Sequence, residues 1–119
     1  MDKDDKVVVL LGDIGVHAFK EVFDKYPNRC YNVGICEQSM VGMGAGLAMA
    51  GFTPIVHTIE PFLVERAFEQ IKDDFGYQEL KGNIVGVDVS GTAPNLGYTH
   101  QCPYALNMMR NVIGMKVYE

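Results

Sequence analysis

The sequence predicts an α/β protein of three layers, with helices on both faces of a doubly wound, mainly parallel sheet. Apolar, β-branched runs alternate with helical stretches, an order that right-handed crossovers convert into parallel strands. The first run, Lys6-Val-Val-Val-Leu-Leu11, is apolar without alternation, as suits a strand covered on both faces. With 119 residues, the chain can bury roughly 65% of its unfolded surface, enough for one core and not for two, so residues 1–119 are read as one domain.

The elements follow in order. Lys6–Leu11 is the first strand and ends at Gly12-Asp13. Val16–Lys25 is a helix with Val16, Phe19, Val22 and Phe23 along one face, stopped by Pro27-Asn28. Cys30–Val33 is a short strand, and Glu37–Ala50 a helix that ends at Gly51. Thr53–Thr58 is a strand, Pro61–Leu80 one long amphipathic helix, and Asn83–Val89 another apolar strand. Ser90–Gly97 is a Gly/Pro/Asn loop, Pro103–Val112 the last helix, and Met115–Tyr118 the start of a further strand. Ligands of such folds bind outside the carboxyl ends of the strands, which directs attention to Gly12–Gly15, Gly34–Gln38, Thr58–Phe62 and Ser90–His100.

Composition removes several classes of function. A hydrophobic share of 48%, a charged share of 21% and a mean hydropathy of +0.03 exclude a mainly disordered chain. Ten Lys and Arg against fifteen Asp and Glu give a net charge of −5 with no basic cluster, so nucleic acid is not an expected partner. No apolar run approaches the roughly 18 residues that span a bilayer, and the opening Met-Asp-Lys-Asp-Asp-Lys lacks the order of a signal peptide. No membrane association and a cytoplasmic location are expected. Cys30, Cys36 and Cys102 contain no C-x-x-C pair and read as reduced, mostly buried thiols. His17, His57 and His100 stand in different turns without ligand spacing, so no metal site made by this chain alone is expected.

Three features carry candidate chemistry. Gly42-Met-Gly-Ala-Gly-Leu47 half matches a dinucleotide fingerprint but lies inside a helix instead of between a strand and a helix. Each glycine there costs about 1 kcal/mol relative to alanine, which implies close packing of a buried or subunit-contact helix. His57 is read as structural, and His100 either contacts a substrate or starts a helix. Glu37 opens a hydrophobic helix directly after a buried strand, where an unpaired carboxylate is expensive, so it needs a partner. It either caps the helix dipole or is a buried carboxyl held for proton work.

The run Asn32-Val-Gly-Ile-Cys-Glu-Gln38, followed by Met40-Val-Gly-Met-Gly-Ala-Gly-Leu-Ala48 and Gly51, resembles the signature of the thiamine-diphosphate-dependent transketolase family. It is similar to the pyrimidine-binding module, which 1-deoxyxylulose-phosphate synthases share. Gly12-Asp13, Phe62 with Arg66-Ala67 and Glu69-Gln70-Ile71, Ile84-Val-Gly86, Thr99-His100-Gln101 and Met109-Arg110 match in the family's order. The resemblance covers almost the whole chain.

What the resemblance implies is the thiamine-diphosphate-binding fold, truncated at both ends because the module's leading helix and last strand are missing. The implied function is the pyrimidine-binding part of an enzyme that transfers two-carbon ketol units between sugar phosphates. Glu37 would hydrogen-bond N1′ of the aminopyrimidine and Phe62 stack on its ring, Asp13 would lie near the thiazolium, and His100 would face the substrate. Ile59 stands where some transketolases carry a second aromatic residue. Thiamine diphosphate and Mg²⁺ are the implied cofactors, with diphosphate and metal held by a partner chain or domain, a diphosphate-binding transketolase-like subunit being the implied partner. The Gly-Asp-Gly and downstream Asn of that module are absent here, and Gly12-Asp13-Ile14-Gly15 does not match them. The chain is therefore expected to be inactive alone.

It also departs from the family. Leu96 occupies a position where many transketolases have a substrate-contacting Asp, and Tyr104-Ala105 replaces an acidic pair. These departures motivate an alternative, a catalytically silent relative that acts in oligomerisation or regulation. In isolation a homo-oligomer is expected, because Met40, Met43, Leu47 and Met49 offer apolar surface on a glycine-rich helix.

Overall fold

Residues 1–87 and 94–118 are described by the computed structural model of the chain. Four strands form one all-parallel sheet in the order β2-β1-β3-β4, from β1 (Val7–Leu11), β2 (Cys30–Asn32), β3 (Thr53–Ile59) and β4 (Asn83–Val87). Val9 stands opposite Cys30 on one side and Ile55 on the other, and Ile55 in turn faces Asn83. The expected end of the fourth strand at Val89 and the first part of the Ser90–Gly97 loop fall outside the described residues. The rest of that loop contains a 3₁₀ turn, Pro94–Leu96, and a second, Tyr98–His100, follows.

The apolar run of β1 feeds two separate cores, as a doubly covered strand should. Val8 and Leu10 point to one face, where they meet Met40, Val41 and Ala45 of α2 (Glu37–Met49) and Leu63 and Val64 of α3 (Glu60–Val64). Met109 of α5 (Ala105–Arg110) closes the same face. Val9 and Leu11 point the other way, to Cys30 and to Phe19, Val22 and Phe23 around α1 (Lys20–Lys25). The predicted three layers are thus present.

Several boundaries differ from the expectation. The first helix begins at Lys20 and not at Val16, because Gly15 takes a left-handed φ of 70° and the Phe19 N–H closes a turn on the Gly15 carbonyl at 3.0 Å. The single helix expected over Pro61–Leu80 is three pieces: α3, a short α4 (Phe68–Gln70) and a seven-residue π-helix, Ile71–Tyr77. Ala67, at φ −107° and ψ 18°, interrupts the helical path. Leu63, Val64, Ala67, Ile71 and Phe75 nevertheless all reach the same core, so the apolar spacing survives the breaks. The last helix is shorter than Pro103–Val112, and Met115–Tyr118 forms no strand among the described residues. Met115 and Val117 pack by their side chains against the core instead.

The glycine-rich helix α2 has nearly its predicted extent, with Ala50 as its cap and Gly51 at φ 85°. Of its three interior glycines only Gly44 meets the close approach expected of all: a Cβ there would lie 2.7 Å from Val56 Cγ2. Gly46 has open space around it, and Gly42 has only the Asp74 carboxylate at 3.7 Å. Met40, expected on the outer surface, is fully buried, whereas Met43 and Met49 are 47% and 68% exposed. No helix among the described residues is long and apolar enough to cross a membrane.

Candidate functional site

From β1 the chain passes to β2 on one side and then crosses back, through α2, to β3 on the other side of β1. The carboxyl ends of β1 and β3 therefore frame the crevice where the strand order reverses. Gly12 ends β1 by donating its N–H to the His57 carbonyl at 2.9 Å. It must be glycine, since a Cβ there would fall 2.7 Å from Thr58 Oγ1. Asp13 comes next in a left-handed conformation with φ 58°. Asn32, at the end of β2, holds that turn: its Oδ1 accepts the Asp13 and Gly34 N–H groups, each at 3.1 Å, and its Nδ2 donates to Asp13 Oδ1 at 2.9 Å. His57, expected to be structural, has Nδ1 3.0 Å from the Val85 carbonyl.

Glu37 is the first residue of α2 and its side chain is 1% exposed. Arg66, in the turn after α3, donates from Nη1 to Glu37 Oε2 at 2.6 Å. Oε1 is buried and has no hydrogen-bond partner among the described residues. The partner that the sequence demanded of Glu37 is therefore an arginine that serves only one oxygen. The same guanidinium lies over the Phe62 ring, its carbon 4.4 Å from the centroid. Phe62 in turn meets the His100 imidazole edge-to-face, with centroids 5.0 Å apart and an interplanar angle of 78°. Thr99 Oγ1 stands 3.0 Å from His100 Nδ1.

Glu37, Arg66, Phe62 and His100 thus form one chain of contacts from buried to open. An open cavity of about 490 Å³ abuts it, lined by Pro61, Phe62, Glu65, Arg66, Tyr98, Thr99 and Gln101. A further cavity of about 830 Å³ runs along β4, on the edge that has no strand partner among the described residues, and none of Glu37, Phe62, Arg66 or His100 lines it. Asp13 sits in its own clamp at the end of β1. Ile59 ends β3 opposite Val87, half-buried, and its aliphatic side chain has no share in the polar or ring contacts. Leu96 is exposed close before His100.

Arg66 is the residue to which sequence reasoning assigned no role. Two signals pointed to it: the need of a buried Glu37 for a cation, and an arginine four residues after Phe62. Near the cluster, Cys102 is fully buried, and desolvation, with Glu65 beside it, pushes its thiol up to about 11. An orphaned carboxylate oxygen, linked through Arg66 to the Phe62 ring, suits an N–H-bearing aromatic heterocycle, which could stack on a ring and donate to a carboxylate. No group of three or more His, Cys, Asp or Glu side chains among the described residues is placed to hold a metal ion.

Comparison with known proteins gives a consistent account. The family model described as the transketolase pyrimidine-binding domain matches residues 1–119. A 6-deoxy-6-sulfo-D-fructose transketolase subunit of Clostridium sp. is 36% identical over 118 residues, which cover 98% of this chain and 37% of the relative. A 1-deoxy-D-xylulose-5-phosphate synthase of Treponema pallidum is also 36% identical, over 96% of this chain and 18% of its own. Among solved structures, a split-gene transketolase described as an inactive β4 tetramer superposes with a TM-score of 0.80 at 33% identity, covering 96% of this chain and 36% of that one. The chain accordingly spans about a third of the subunit-sized relatives and less than a fifth of the synthase.

Proposed function

The chain belongs to the transketolase pyrimidine-binding domain family, and from that premise we propose that it is the pyrimidine-binding part of a thiamine-diphosphate-dependent, cytoplasmic ketol transferase acting on sugar phosphates. The observation that carries this reading is the unsatisfied, buried Oε1 of Glu37, whose other oxygen is tied through Arg66 to the Phe62 ring. A buried acceptor without a partner costs about 1–3 kcal/mol, a cost that a ring N–H donor removes. Glu37 would hold the aminopyrimidine at N1′, Phe62 would supply its apolar stacking face, and His100 would hold or move a proton on the substrate side. Asp13, fixed by Asn32, would lie toward the thiazolium, with Ile59 as an apolar neighbour. Bound thiamine diphosphate supplies the carbon nucleophile with which ketose bonds are cleaved and remade.

Diphosphate and Mg²⁺ fall to a partner subunit or domain, for these 119 residues lack the Gly-Asp-Gly motif. The chain alone is then inactive, and without that partner it pairs with a second copy through the exposed side of α2, where Met43, Met49 and the open Gly46 lie. The test combines the chain with a neighbouring-gene product that carries the Gly-Asp-Gly and Asn motif, thiamine diphosphate and Mg²⁺, and measures transfer of a ketol unit between sugar phosphates. Transfer is expected, with loss in Glu37→Ala. Full activity of that variant overturns the role given to Glu37, and no transfer in any assembly favours the silent, oligomerising relative.

A further inference from the structure

A carboxylate that must offer one acceptor to a ring nitrogen has to have its two oxygens told apart. The terminal torsion of glutamate is broad and nearly two-fold, so nothing within Glu37 itself makes that distinction. The distinction comes from Arg66. Its Nη1 engages Oε2 at 2.6 Å, while Oε1 stays buried without a partner. Arg66 is itself held in place, with its guanidinium carbon 4.4 Å from the centre of the Phe62 ring. A planar guanidinium can stack and donate at once, which a lysine ammonium cannot do.

We infer that Arg66 is a positioning residue, which fixes the Glu37 carboxylate through Oε2 and so reserves Oε1 for the ring nitrogen of an aminopyrimidine stacked at Phe62. This rests on the reading of the site proposed above. It makes the Phe62 to Arg66 spacing functional: the ring aligns the guanidinium, and the guanidinium aligns the acid. Arg66 is 39% exposed, so its replacement opens no core cavity, but it leaves Glu37 buried and unpaired.

The experiment uses the chain assembled with its diphosphate-binding partner and measures dissociation constants by calorimetry. The probes are thiamine diphosphate and its N1′-deaza analogue, in which the ring nitrogen is a C–H. The variants are Glu37→Gln, Arg66→Gln, Arg66→Lys and the double variant Glu37→Gln/Arg66→Gln. Arg66→Gln is expected to weaken thiamine diphosphate binding roughly 10- to 100-fold, the range of a hydrogen bond to a charged group, and to change binding of the deaza analogue far less. Arg66→Lys should restore only part of the loss. The double variant should bind no worse than Glu37→Gln alone, since Arg66 acts through Glu37.

Equal losses for both ligands would overturn the inference, as would unchanged or tighter binding, the latter meaning that the guanidinium occupies the place of the ring. Should Arg66→Gln fail to assemble because Glu37 is left unpaired, the Arg66→Lys and double variants decide the same question. If Glu37→Gln binds thiamine diphosphate as wild type does, the function proposed for the site fails, whatever Arg66 does.

Discussion

Gly44→Ala and Gly46→Ala place the same methyl group two residues apart in the same helix, and their stabilities should separate sharply. Each replaces a helix-interior glycine, so each gains about 1 kcal/mol of intrinsic helix preference. At Gly46 no heavy atom lies within 4 Å of the new Cβ, and the gain is kept. At Gly44 the new Cβ would sit 2.7 Å from Val56 Cγ2, 3.5 Å from Phe75 Cζ and 3.8 Å from Pro54 Cβ. Val56 cannot give way easily: it is fully buried, β-branched and held in β3 between two paired strands. Overpacking of this kind costs about 1–3 kcal/mol, and because the helix term cancels, that is the expected difference between the variants. For a chain of this size it corresponds to roughly 3–15 °C in melting temperature. The assay is thermal and urea unfolding of both variants at one submicromolar concentration, where self-association contributes little. Gly44→Ala melting at or above Gly46→Ala would refute the claim that α2 rests on the sheet through Gly44.

Two further outcomes follow from the buried thiol and the exposed helix face. The Cys102 proton is held more tightly in the folded chain than in the unfolded one, with the thiol moved from 9.0 to about 11. Its contribution is therefore complete below pH 9 and lost as pH rises toward 11, on the order of 2 kcal/mol in all. Urea midpoints measured from pH 8 to pH 11 should fall more steeply for wild type than for Cys102→Ala, and equal slopes would sink the argument. In sedimentation equilibrium at micromolar concentration the isolated chain should exceed its 13.2 kDa monomer mass. Met43→Glu should shift it toward monomer by charging the exposed side of α2, whereas a clean wild-type monomer across the range would remove the proposed pairing.

The strands and α2 were legible in the sequence because their signals are local. A run such as Val7–Leu11 has no polar residue to place on a solvated face, and Gly51 ends α2 by its own conformational freedom. The stretch from Pro61 to Leu80 misled because burial spacing reports which side chains reach the core and not how the backbone between them is wound. Leu63, Ala67, Ile71 and Phe75 recur every four residues through a turn and a π-helix alike. Met115–Tyr118 has strand composition, but a strand exists only with a partner, and pairing is not written in four residues. The candidate site divides in the same way. Glu37 was singled out by the cost of its burial, while its ion pair joins residues 29 apart in sequence and the contact of Phe62 with His100 spans a longer gap still. Such pairings are products of the fold.

The doubly apolar β1 raises a problem of alignment. A strand with one polar face resists sliding, since a one-residue slip would carry its charges inward, but Val7–Leu11 would bury apolar side chains in either setting. The register must be enforced elsewhere, and Gly12 does it. Its backbone lies so close to Thr58 that no side chain fits between them. Sliding β1 by one step would drive Leu11 or Asp13 into that gap. Gly12 therefore works as a detent that stops the strand at one setting, and with it fixes how far Asp13 stands past the end of β1, where Asn32 holds it. A substitution at Gly12 would act less as a local clash than as a change in the indexing of β1 against β3, displacing the polar end of the strand while leaving its apolar body free to find a new fit.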